Sequence, residues 1–177
     1  MNQELGPLLV ELYLEGAHIL GICRQVQERR RLIDVLNHQD EILEIEQARV
    51  TFSPNSQPQD YATMSIIKSA ILAAVPRETQ EQNRRRAVLT NMIGRKETRQ
   101  KSLALIVPPL SIAGSAHVST GAGAMQSMQV FSKFFPLTGA TLYIPGQPDR
   151  ALDVVLVSRD RVVGMSVMPE PRLATAI

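Results

Sequence analysis

The sequence predicts a mainly β fold with short helices, an α+β arrangement. It consists of a tandem repeat of two small β-rich units, bent-sheet or barrel-like, joined by a helical linker. Three observations predict this. Apolar and polar residues alternate over short runs, as in Leu43-Glu44-Ile45-Glu46. Matched features return about 93 residues later in the same order. The stretch between them differs from its flanks in charge and in periodicity.

The first unit spans 8–76. Val10 to Glu15 alternates and reads as a half-buried strand, Gly16 marks a turn, and Ile19 to Val26 returns as a second strand. Arg29 to Asn37 sets Leu32, Val35 and Leu36 at helical spacing. Ile42 to Phe52 is a strand with Leu43 and Ile45 on one face and Glu44 and Glu46 on the other. Ser53 to Pro58 has loop chemistry. Met64 to Val75 closes the unit as a strand or a bent strand pair.

The second unit spans 102–168. Its strands are Leu103 to Val107, Leu110 to Val118, Phe134 to Ile144 and Leu152 to Val167, with a helix near Ala124 to Phe131. Pro108-Pro109 carries no backbone donor and belongs on an edge or in a bulge. Gly21 and Gly114 are 93 residues apart, as are Leu32 and Met125, while Ala48 and Ala140 are 92 apart. The two units are expected to be related by a pseudo-two-fold axis.

The linker, 77–101, has eight basic and three acidic residues, a net +5 in a chain of net +2, so the rest carries −3. Thr79 and Gln82 form a capping-box pattern and Gly94 a stop, which predicts a helix from about 80 to 93 beside the junction. The tail, 169–177, holds two prolines and is expected to fray.

Apolar residues make up 44% of the chain but aromatics only 4%, so the core is aliphatic. This composition excludes a disordered chain, a disulfide scaffold and a collagen-like repeat. Cys23 is the only cysteine, so no internal disulfide forms, which fits a reducing compartment. Early acids at Glu4 and Glu11 argue against a signal peptide. No apolar run approaches the roughly 20 residues of a membrane span, so the expectation is a cytoplasmic protein with no membrane partner.

The string Leu12-Tyr13-Leu14-Glu15-Gly16-Ala17-His18-Ile19-Leu20-Gly21 resembles the opening strands of the Sm-like small-barrel family. Ile66 to Pro76 resembles that family's closing strands. The helical stretch Glu28 to Asn37 replaces the family's usual Asp-containing turn. The resemblance implies a small, strongly bent antiparallel barrel and carries no RNA-binding residue across.

Chemistry-bearing residues are sparse. Cys23 sits among apolar neighbours and reads as core. His18, His38 and His117 lack zinc-ligand spacing, and Glu41, Glu44 and Glu46 read as a solvated face. Ser119 to Ala124 lacks the lysine of a phosphate loop. The expectation is therefore no enzyme, no catalytic residue, no cofactor and no metal. The leading reading is a non-catalytic structural or interaction module that self-associates as a homo-oligomer, with a further protein partner open. The alternative is a nucleic-acid-binding adaptor whose arginine triplets, Arg29, Arg30, Arg31 and Arg84, Arg85, Arg86, contact phosphates.

Overall fold

The computed structural model describes residues 7–29, 31–52, 56–77, 98–119 and 131–168. In the first half β1 (Leu8–Leu14) and β2 (Ala17–Cys23) form a hairpin about Gly16, whose φ of 77° suits a residue without a side chain. Two short helices follow, α1 (Gln25–Arg29) and α2 (Leu32–Asn37). The chain continues through β3 (Ile42–Thr51), β4 (Gln59–Ile67), a 3-10 turn at Lys68–Ala70 and β5 (Ile71–Arg77). The second half holds β6 (Thr98–Val107), β7 (Leu110–Ser119), β8 (Phe134–Tyr143), β9 (Arg150–Ser158), a 3-10 turn at Arg159–Arg161 and β10 (Gly164–Val167).

All ten strands belong to one sheet, in the order β10-β6-β7-β8-β9-β5-β1-β2-β3-β4, and every neighbouring pair is antiparallel. The halves join where β5 pairs β9, with Ala73 opposite Val157 and Ala74 opposite Leu156. Alternation within the strands then does the packing. Val10, Leu12, Leu43 and Ile45 line one core together with Leu32, Val35 and Leu36 of α2. Leu105, Val107, Ile112, Leu137 and Leu142 line a second core. Each core borrows from the other half: Phe134 and Leu156 enter the first, while Tyr13, Leu72, Ala73 and Val75 enter the second. The seam strands are therefore covered on both faces. Each fully buried large aliphatic contributes roughly 1.5–3 kcal/mol.

Two glycines let the sheet bend. At Gly21 the β2–β3 register shifts between Leu20 and Ile22, and a Cβ there would stand 2.9 Å from the Glu46 carbonyl oxygen and 3.2 Å from Ala48 Cα. At Gly114 the β7–β8 register shifts between Ala113 and Ser115, and a Cβ would stand 3.1 Å from Leu137 Cβ and 3.2 Å from Ala140 Cα. At Gly21 the neighbouring backbone approaches too closely for a side chain, while at Gly114 a Cβ would need Leu137 or Ala140 to give by a few tenths of an ångström.

The structure corrects the expected fold class. The protein is mostly β, with one continuous antiparallel sheet instead of a tandem repeat of two small units joined by a helical linker. The physical reason lies in β5. Its run Ile71 to Val75 is apolar on both faces, and its outer backbone groups pair directly with β9, so strand pairing makes the junction. Arg77 ends β5 and Thr98 to Lys101 open β6, so both ends of the expected linker are strand. The expected linker helix and most of the expected helix near Ala124 to Phe131 lie outside the described residues. Pro108-Pro109 occupies neither an edge nor a bulge. It is the two-residue turn of the β6–β7 hairpin, where no ladder donor is needed.

Candidate functional site

Two features stand out, a buried charge cluster beside the seam and a pair of open sheet edges. The cluster begins with Glu11. On β1, Val10 and Leu12 face the first core, so the pleat turns Glu11 and Tyr13 toward the second. Glu11 is only 6% exposed. Arg77 donates to its Oε1 from Nη2 at 2.6 Å and from Nε at 3.0 Å. Arg150, from the start of β9, donates from Nη2 to Oε2 at 2.9 Å and from Nη1 to the Tyr13 hydroxyl. That hydroxyl donates to Glu11 Oε2 at 3.0 Å.

Burial by itself would raise the Glu11 carboxyl. Its neighbours His18 and Arg77, with the charge of Arg150, outweigh burial and hold it well below the usual carboxylate range. His18 Nε2 stands 3.7 Å from Oε2, too far for a hydrogen bond, so the bonds from Arg77, Arg150 and Tyr13 are the direct hold. Burial and the Glu11 charge push the Tyr13 phenol above its ordinary value. Further ties cross between the halves. The Asn37 side chain donates to the Phe134 carbonyl at 2.9 Å and accepts from the Phe134 amide at 2.7 Å. Arg161 donates to the Ser69 carbonyl at 2.9 Å.

Among the described residues the edges are β4 and β10, each hydrogen-bonded to one neighbouring strand. Edge strands usually carry lysine, proline or a bulge that blocks further pairing. β4 reads QDYATMSII and β10 reads GMSV, with neither lysine nor proline. The one charge on β4, Asp60, is drawn aside by Arg49 at 2.9 Å. Exposed apolar side chains gather at these two ends: Ile42, Tyr61 and Ile67 at one, Ile106, Val163 and Val167 at the other.

No protein-family model, curated protein or solved structure matches this chain.

The residues singled out in the sequence fall elsewhere. Arg31 precedes α2 and makes a two-pronged bond to Asp34 at 2.8 Å. Arg29 ends α1. Arg30 and Arg84 to Arg86 lie outside the described residues. Cys23 is fully buried and burial raises its thiol, while His18 faces Tyr13 across the β1–β2 hairpin. Glu46 accepts from Arg24 at 2.6 Å and Glu44 accepts from the Ser65 hydroxyl at 2.6 Å. Among the described residues no group of three or more His, Cys, Asp or Glu is placed to hold a metal ion, and no helix is long and apolar enough to cross a membrane.

The Glu11 cluster was missed in the sequence. A signal existed: Glu11 interrupts the otherwise apolar stretch Leu8 to Leu14, and a carboxylate in a strand covered on both faces requires partners.

Proposed function

We propose that the protein is a non-catalytic structural module that self-associates, copies joining edge to edge with β10 of one against β4 of the next. The observation that carries this reading is the pair of edges that, among the described residues, have one strand neighbour each and carry neither lysine nor proline, with exposed apolar side chains at both. The inner seam supplies a template. Ile66 on β4 lies two residues before the first 3-10 turn, and Val157 on β9 two before the second. Ala73 lies five residues past Lys68, and Gly164 five past Arg159. Ala73 pairs Val157 within the chain. Gly164 of one copy would then pair Ile66 of the next, and Met165 would pair Ser65. Such contacts are head-to-tail, so they propagate into a closed ring or an open filament.

The small-barrel resemblance of the Leu12 to Gly21 segment belongs to this reading. The sharp bends at Gly21 and Gly114 support it. Placement in the cytoplasm is part of it too, supported by the single buried cysteine.

Light scattering coupled to size exclusion tests the proposal. The expected result is a species above the mass of one chain at tens of micromolar, reduced in mass by Ile67→Lys and by Val167→Lys, with the far-ultraviolet spectrum unchanged. A monomer at that concentration overturns it.

A further inference from the structure

Besides the edges, the molecule has a cavity of about 440 Å³ above the charge cluster. Four connections converge on it: the β1–β2 turn, the end of β3, the β6–β7 turn and the β8–β9 loop. Its size lies within the range of small-molecule sites. Most of its wall is apolar, with Leu14, Phe52, Leu110 and Ile144 on different sides. Its polar groups gather around Tyr13, His18 and Arg150.

We infer that this cavity binds a small amphipathic anion, a flat apolar body bearing one carboxylate or sulfonate. Charge decides the sign of the ligand. Among the residues that line it, Arg150 brings a fixed positive charge and no carboxylate is present. Glu15 and Asp149 belong to the framing loops, but neither lines the cavity. Arg150 uses Nη1 on Tyr13 and Nη2 on Glu11, so its Nε–H is left for a ligand oxygen. Among the lining residues, His18 Nε2 is a buried nitrogen without a hydrogen-bond partner. That nitrogen is closed off from the cavity and stands 3.7 Å from Glu11 Oε2, so the contact to a ligand's anionic group falls to Arg150. The apolar walls supply the remaining contact by excluding water from the ligand's body.

The probe for this test is 8-anilinonaphthalene-1-sulfonate, with neutral N-phenyl-1-naphthylamine as its uncharged counterpart. Fluorescence titration of the full chain should show one saturable site for the sulfonate per chain, and binding of the neutral probe about tenfold weaker or more, as expected for loss of a charge-assisted contact. Arg150→Gln should weaken sulfonate binding by a similar factor. Because that change also unties Glu11, a second variant is needed. Gln147→Trp, on the exposed β8–β9 loop, should fill the cavity and abolish binding without lowering the melting temperature. Sulfonate binding that survives Gln147→Trp within twofold places the probe elsewhere, on the apolar edges, and overturns the inference. Equal affinity for the two probes overturns its anionic part. No saturable binding of either probe overturns all of it.

Discussion

The two halves of the sheet place their strands in the same neighbour order, β5-β1-β2-β3-β4 and β10-β6-β7-β8-β9, yet they treat charge in opposite ways. Glu11 on β1 pairs Val75 and is buried; in the corresponding place on β6, Ala104 pairs Ser166. Lys68 opens the first 3-10 turn at 1% exposure, its Nζ donating to the Val35 carbonyl at 2.6 Å. Arg159 opens the second, donating to the Phe131 carbonyl at 2.8 Å from a side chain 36% exposed. The backbone positions that bend the sheet are alike, while the polar fastenings of the first half are deeper. β5 and β1 of that half support the permanent seam with β9. The second half ends in an edge without a buried ion cluster. The difference teaches that the seam is built to stay closed, whereas the edge-to-edge joint proposed between copies would lack such a fastening.

The largest effect expected from this contrast is at Glu11. Glu11→Gln leaves Arg77 and Arg150 without their counter-charge and should cost about 3 kcal/mol of stability in denaturant unfolding. The pH profile carries the sign. The folded carboxyl is depressed below its ordinary value of 4.5, so its contribution is complete above that value. It is lost as the pH falls from there toward the folded value. Wild type should therefore lose stability below about pH 4.5 more steeply than Glu11→Gln.

Next come the two bends. Gly21→Ala meets the Glu46 carbonyl and should cost about 2–3 kcal/mol; Gly114→Ala meets atoms at 3.1 Å or more and should cost about 1 kcal/mol. Equal costs would show that the halves bend under the same constraint. Lys68→Met removes the buried donor from the Val35 carbonyl and should cost about 2 kcal/mol. Arg159→Met, at the water-exposed counterpart, should cost about 0.5 kcal/mol or less. A last pair concerns left-handed backbone. Gln47 has φ of 48° and Gly139 has φ of 53°, both exposed. Gln47→Gly should raise stability by about 1 kcal/mol and Gly139→Ala lower it by about as much, read as shifts in the urea midpoint.

Much of the strand layout was legible because alternation reports directly on the pleat. The expected strands at Val10 to Glu15, Ile42 to Phe52 and Phe134 to Ile144 lie close to β1, β3 and β8. Gly21, Ala48, Gly114 and Ala140 stood out in the sequence only by their spacing; that Gly21 meets Ala48 and Gly114 meets Ala140 across neighbouring strands comes from the structure. The helical stretch was placed a few residues late, since Val26 is held in α1 by packing into the first core. The seam was not legible. Pairing of β5 with β9 links residues more than 80 positions apart, and nothing local in Ile71 to Val75 distinguishes a strand buried in one unit from one shared by two halves. The charge cluster was hidden for the same reason, as Glu11 meets Arg77 and Arg150 only through the fold. Arg77 carried a misleading signal, because its charge matched the basic stretch that follows it.

Edge pairing between copies is tested most directly by cross-linking at the register the seam supplies. Cross-strand neighbours in an antiparallel pair bring Cα atoms about 4.5–5.5 Å apart, within disulfide reach. Ser65→Cys on β4 and Met165→Cys on β10 are prepared as separate variants, with Cys23 left in place because it is fully buried. Mixed and oxidised, they should give disulfide dimers containing one of each, while either variant alone stays largely monomeric under denaturing conditions. Dimers forming equally well within a single variant, or no mixed dimer at all, would contradict the account.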